Sequence, residues 1–341
     1  MIFHYSKRIT WFFIIVFAVL VVIWLYQADF GSPRFGEAGK NKNVEFGVTF
    51  SQKYATDLNL NWQKTLIALL DGLKVKKFRL IAYWDLVEAK QGIYNFKDLD
   101  WQIEQVKKRG GEVILVIGNR VPRWPECHWP DWIYKLSAIE RNNHILDLLK
   151  AEIGHYQNES AITAWQVENE PFLKIFGKCP MPDGNFYKQE VAAVKAVSSK
   201  PIIATESGEL STWLRGGKIA DSLGISLYRI VWTNLFGYFK YPLPPSFYFL
   251  KSQLVAVLGG TKKVFISELQ AEPWLSTAIL QTSLSEQSDS MNLKIFQDNV
   301  AYAKKTGLSP IYFWGAEWWY WLKQQGDSTI WDEARNSWTN N

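Results

Sequence analysis

The chain has 341 residues, of which 48% are hydrophobic and 16% aromatic, with 18 Trp and a formal charge of +5. Two average domains would fit, but barrels of alternating strands and helices use about 250 residues as one domain, so one large domain plus a short appendage fits better. The modest charge, without a basic run, argues against a nucleic-acid partner, and two cysteines with four scattered histidines offer no metal-ligand spacing.

Lys7 and Arg8 precede an uninterrupted apolar run from Thr10 to Tyr26, close to the lower limit of about 17 residues for a bilayer span. The positive flank predicts that residues 1–9 stay in the cytoplasm and that the rest is extracytoplasmic. A cleaved signal peptide is the competing reading, although Tyr26-Gln-Ala-Asp29 makes a poor cleavage site. The expected organisation is therefore a transmembrane signal anchor at 10–26, a Gly/Pro-containing linker at 27–43 and one domain at 44–341.

From Val44 onward, short apolar runs alternate with helical patterns. Strands are expected at 44–50, 77–84, 112–118, 162–170, 201–206, 224–229, 264–270 and 310–314. Helices are expected at 62–73, 99–108, 138–155, 187–197, 212–220, 247–258 and 288–305. Strands separated by helices imply a parallel sheet with crossovers, and eight such units suggest closure into a (β/α)8 barrel. An open doubly wound sheet is the alternative, but no Gly-x-Gly-x-x-Gly loop follows the first strand. Thr233–Ser246, rich in aromatics and prolines, reads as a long loop over the barrel mouth or toward the membrane.

Two strands run apolar into glutamate. Ile162–Pro171 reads Ile-Thr-Ala-Trp-Gln-Val-Glu-Asn-Glu-Pro, and Val264, Phe265 and Ile266 lead to Glu268. In a barrel, chemistry sits at the C-terminal strand ends, so Glu170 and Glu268 would meet at one mouth. Two carboxyl groups of divergent pKa suit glycosidic cleavage, one protonating the leaving oxygen and the other meeting the charge on the anomeric carbon. Trp84 and Trp274, near strand ends, are among the rings expected to bind sugar C–H faces. For any single such ring, core packing is the commoner role.

Trp165-Gln-Val-Glu-Asn-Glu-Pro171 resembles the Asn-Glu-Pro signature of retaining glycoside hydrolases built on (β/α)8 barrels, the clan of cellulases, β-mannanases and β-galactosidases. The resemblance covers about residues 44–322 and implies Glu170 as general acid/base, Asn169 at the sugar 2-hydroxyl and Glu268 as nucleophile. It also implies Arg79 as a buttress of the nucleophile, Tyr228 as its hydrogen-bond donor and Trp314 as the floor of the adjoining subsite. No metal or organic cofactor is implied; the expected substrate is an oligo- or polysaccharide, and the carboxyl groups should lie about 5–5.5 Å apart.

Several residues depart from the pattern. Glu168 would share a strand face with Glu170 and shift its pKa or touch substrate. Glu272 competes with Glu268 for the nucleophile role, and Glu206 and Glu209 are either substrate contacts or rim charges. Cys127 and Cys179 fall in loops after neighbouring strands, so a disulfide is plausible in an oxidising compartment, with two free thiols as the alternative. The rival functions are a non-catalytic carbohydrate-binding protein on the same fold and a transglycosylase remodelling surface polysaccharide.

Overall fold

A computed structural model describes residues 44–339 except 182 and 262; the expected anchor and linker lie outside the described residues. Eight parallel strands close into a barrel: β1 (Phe46–Thr49), β2 (Lys77–Ile81), β3 (Glu112–Ile117), β4 (Ile162–Val167), β5 (Ile202–Ser207), β6 (Ser222–Leu227), β7 (Val264–Gln270) and β8 (Ile311–Trp314). β1 closes the ring by pairing β8 on one side and β2 on the other, so the doubly wound alternative does not apply. Among the described residues, no helix is long and apolar enough to cross a membrane.

Alternation within the strands builds the barrel. Ile114, Ala164, Ile203, Phe265 and Tyr312 form one buried interior cluster, whereas Leu115, Trp165, Ala204 and Ile266 join the larger core between strands and helices. Each inward position is followed two residues later by another on the same face. Above the apolar cluster, the same alternation delivers Arg79, Gln166 and Thr205, all 0–1% exposed, so the upper barrel is polar but dry. β7 shifts register against both neighbours: Ile225 pairs Ile266 but Ser226 pairs Glu268, while Ile311 pairs Ile266 but Phe313 pairs Leu269. This bulge near Ser267 re-aims the strand just where Glu268 emerges.

The helices follow local signals. Ala138–Tyr156 starts at Ser137, whose side chain and that of Glu140 form a reciprocal capping box, and Pro245–Leu258 begins on a proline that has no amide to leave unpaired. The expected helix 62–73 is α-helical over Trp62–Ile67 and continues as a π turn over Ala68–Gly72. The expected helix 288–305 splits into Leu284–Ser290 and Leu293–Lys305, where Asn292 caps the second piece. Two helices unmarked in the sequence reading, Ala316–Gln324 and Thr329–Thr339, follow β8.

The segment read as a long loop is partly a hairpin: Ile230–Thr233 pairs antiparallel with Gly237–Lys240. Its turn uses Gly237 at φ +64°, a backbone conformation that glycine adopts without Cβ strain. β2 stops at Ile81, earlier than expected, and Trp84 opens the short helix Trp84–Val87 instead.

Candidate active site

β4 ends at Val167, and the next residues leave the strand geometry: Glu168 and Glu170 adopt φ +59° and +44°. Non-glycine residues pay backbone strain in this region, which persists where surrounding bonds over-determine it. Here they do. The Glu170 amide donates to Thr205 Oγ1 on β5 at 2.8 Å, and Ser226 Oγ on β6 donates to Glu170 Oε1 at 2.8 Å.

Glu268 is fixed from two sides. Arg79 Nη1 donates to its Oε1 at 2.7 Å, and the Tyr228 hydroxyl donates to its Oε2 at 2.9 Å. Arg79 is fully buried, and its guanidinium also donates to Gln166 Oε1 at 2.7 Å and to Asn169 Oδ1 at 2.8 Å. One cation thus sets both the carboxylate of Glu268 and the side chain preceding Glu170. Ser226, which holds Glu170, is the strand partner of Glu268, so both carboxyl groups are gathered around β6.

A third carboxylate, Glu126, joins from the loop after β3. Its Oε1 accepts from Asn169 Nδ2 at 3.1 Å and its Oε2 from Arg120 Nε at 2.6 Å. Burial and then the charges of Glu268 and Glu126 push the Glu170 carboxyl up to about 8, against which the Ser226 hydrogen bond works. Burial likewise raises Glu126 to about 7, opposed by Arg120. Glu170 is therefore a protonated carboxyl at neutral pH, held beside the Arg79-paired carboxylate of Glu268.

The remaining residues singled out in the sequence divide. Trp314 ends β8 with the Arg123 guanidinium 4.0 Å from its ring centre, and Trp274 packs edge-on at 5.0 Å against Tyr228; both line the mouth. Arg79 cannot touch a substrate, being wholly buried, and acts through Glu268 and Asn169. The expectation for Trp84 is corrected. It is fully buried, donates to Glu88 Oε2 at 2.8 Å and packs edge-on against Trp132, because the early end of β2 turns it into the helix layer.

Glu168 is corrected as well: its carboxylate accepts the amides of Asn119 and Arg120, both at 2.6 Å, and bonds Glu190, so it anchors the start of the loop after β3. Strand alternation no longer governs it once the backbone turns left-handed. Glu206 and Glu209 both bond within the protein. Glu206 accepts the amides of Trp213 and Gly216, at the start of the helix Leu214–Ile219, and Glu209 accepts from Tyr228 N and the Tyr248 hydroxyl. Glu272 pairs with Arg123, whereas the Arg79–Tyr228 clamp holds Glu268.

Arg123, Glu126, Ser226 and Glu317 are site residues that no motif in the sequence announces. Ser226 lies two positions before Tyr228, so alternation alone would have placed it on the same face. Arg123, Glu126 and Glu317 reach the mouth only through tertiary folding of a loop and a helix. Cys127 and Cys179 form a disulfide with Cα atoms 5.3 Å apart, tying the loop after β3 to the loop after β4. Among the described residues, no cluster of His, Cys, Asp and Glu suits a metal ion.

No family model matches the chain. Over 172 residues it is 25% identical to the β-galactosidase BgaA of Clostridium cellulovorans, a match covering 45% of this chain and 26% of that relative. The chain therefore spans about a quarter of the curated relative. By fold, it is similar to a β-galactosidase of the psychrophilic Marinomonas ef1 (TM-score 0.54, 11% identity, 80% of this chain and 54% of that one). It is also similar to a GH5_18 protein of Bifidobacterium longum subsp. longum solved with Manβ1-4GlcNAc (TM-score 0.58, 12% identity, 80% and 69%). A third likeness is to endo-glycoceramidase II of a Rhodococcus species (TM-score 0.53, 13% identity, 80% and 73%). These likenesses establish the barrel fold as one shared with glycoside hydrolases.

Proposed function

We propose that the chain is a retaining glycoside hydrolase acting on β-glycosides. The observation that carries the reading is the pairing of a carboxyl held protonated, Glu170, with a second carboxyl group clamped between Arg79 and Tyr228, Glu268. Glu170 gives its proton to the glycosidic oxygen while a Glu268 oxygen attacks the anomeric carbon; the C–O bond to the leaving group breaks and a glycosyl ester forms. Glu170, now a carboxylate, takes a proton from water, whose oxygen attacks the same carbon and releases Glu268. The β-galactosidase names among its likenesses make β-galactosides the first substrates to try.

The positive flank and length of residues 10–26 support a signal anchor with the barrel outside the cytoplasm. The Cys127–Cys179 bridge fits an oxidising compartment. The test is to screen the full chain, purified in detergent, against chromogenic β-galactosides, β-glucosides and β-mannosides, and to follow the product anomer by NMR. Hydrolysis with release of the β-anomer first is expected. Release of the α-anomer, or no turnover of any β-glycoside, overturns the proposal.

A further inference from the structure

Resting on that hydrolase reading, we infer that the enzyme acts from the non-reducing end of its substrate, removing one terminal sugar at a time, because a buried Arg123–Glu272–Glu317 cluster closes the glycon side of the site. The direction in which the sugar must lie follows from the two carboxyl groups. In a double displacement, nucleophile and leaving group occupy opposite faces of the ring, so the sugar sits between Glu268 and Glu170 with its bulk to one side of the line joining them.

One of the two sides is occupied. Ser226 and Tyr228, at the end of β6, bond Glu170 and Glu268 at 2.8 and 2.9 Å, and Thr205 on β5 holds the Glu170 amide. The ring therefore lies on the other side, toward Trp314 at the end of β8. What bounds that side is Arg123, only 9% exposed, which reaches from the loop after β3 to Glu272 after β7 and to Glu317 Oε2 at 3.3 Å after β8. Its guanidinium also lies 3.6 Å from the ring centre of Tyr54, after β1, and 4.0 Å from that of Trp314.

The closure is tied down at each strand end. Glu317 accepts the Ser51 amide at 2.5 Å, Ser51 Oγ is 2.6 Å from the Tyr83 hydroxyl, and that hydroxyl donates to Pro122 O at 3.3 Å, next to Arg123. Strand ends β1, β2, β3, β7 and β8 are thus joined into one continuous wall. A second sugar beyond the non-reducing end would have to displace a buried guanidinium paired with two buried carboxylates, and breaking such a pair is strongly unfavourable. Beside this wall, with Trp124 and Trp274 in the same loops after β3 and β7, the rings of Trp274, Phe176 and Trp124 succeed one another at 5.7 Å from ring to ring, and Trp124 is 56% exposed, which suits a leaving portion that extends into solvent.

The test follows the full-chain enzyme on a β-linked oligosaccharide labelled at its reducing end, using the glycoside class found by the substrate screen. The expected early products are free monosaccharide and a labelled chain one sugar shorter. Blocking the 4- and 6-hydroxyls of the non-reducing-end sugar with a bulky acetal should slow hydrolysis about a hundredfold or more. Unlabelled di- or trisaccharides at early times, or normal cleavage of the blocked substrate, overturn the inference while leaving the hydrolase reading intact; absence of all hydrolysis overturns both. Arg123→Ala, with folding checked by circular dichroism, should begin to release unlabelled disaccharide, and Arg123→Lys should do so less. A folded Arg123→Ala protein that still yields only monosaccharide removes Arg123 from the wall.

Discussion

Arg79 and Glu268 form a 2.7 Å ion pair in which the arginine has no exposure to solvent, and the same guanidinium bonds the side chain immediately before Glu170. One buried cation therefore couples the positions of the two carboxyl groups proposed for catalysis. A buried charge that loses its partner is left uncompensated, at a cost of about 3–5 kcal/mol. Arg79→Ala should destabilise the protein by about that amount, read by urea denaturation. Hydrolysis should fall in kcat more than in KM, since the residue acts through Glu268 and not on the substrate.

Removing the two carboxyl groups should give different signatures. Glu170→Gln should lower kcat by about 10²–10⁴ on substrates with poor leaving groups, and much less on activated aryl glycosides, whose oxygen needs no proton. Glu268→Ala should abolish turnover, with partial rescue by added azide giving a glycosyl azide of inverted configuration. Rescue at Glu272→Ala instead of Glu268→Ala would move the nucleophile to residue 272.

The acid limb and the base limb of the pH profile are set by different groups, and Glu170 sets the upper one. Its carboxyl must be protonated to act, and burial with the neighbouring charges of Glu268 and Glu126 holds it at about 8, so kcat/KM for the parent should fall above about pH 8. Glu126→Gln removes one of those charges and should move that fall to lower pH. A profile unchanged in Glu126→Gln would show that burial and Glu268 set it without Glu126.

Stability should follow the same group with a defined sign. Glu170 binds its proton more tightly folded, near 8, than unfolded, near 4.5, so its contribution is fully present below about pH 4.5 and is lost as pH rises toward 8. Across this window the parent should lose up to about 1.4 kcal/mol per pH unit from this carboxyl, and Glu170→Gln should not. Parallel urea midpoints of the two proteins between pH 5 and 8 would contradict the assignment.

The Cys127–Cys179 bridge closes a loop with a sequence separation of 52 residues, for which chain entropy predicts about 4 kcal/mol of stabilisation. Cys127→Ser should lower stability by about 2–4 kcal/mol. Because Glu126 adjoins Cys127 and Arg123 lies in the same loop, activity should fall as well, before global unfolding. Activity and unfolding that fail together at one temperature would show that the bridge has no separate hold on the site.

Much of this arrangement is legible along the chain because its causes are local. Alternation of apolar runs with helical patterns specifies the eight strands in order, and strand ends rich in glutamate point to one mouth, since side-chain direction repeats every two residues. That reasoning places Glu170, Glu268, Arg79 and Tyr228 on common ground. It fails where the backbone leaves its regular period: Glu168 turns away at positive φ, and Trp84 enters a helix when β2 stops three residues early. Arg123, Glu126 and Glu317 meet the site from segments far apart in the chain, by contacts that span up to 266 positions. No periodicity within a segment encodes such distances. Local pattern along the chain is enough for the barrel and for the two strand ends that carry Glu170 and Glu268; which charges face them follows only from the fold, because that depends on how loops cross a ring that exists only after it has closed.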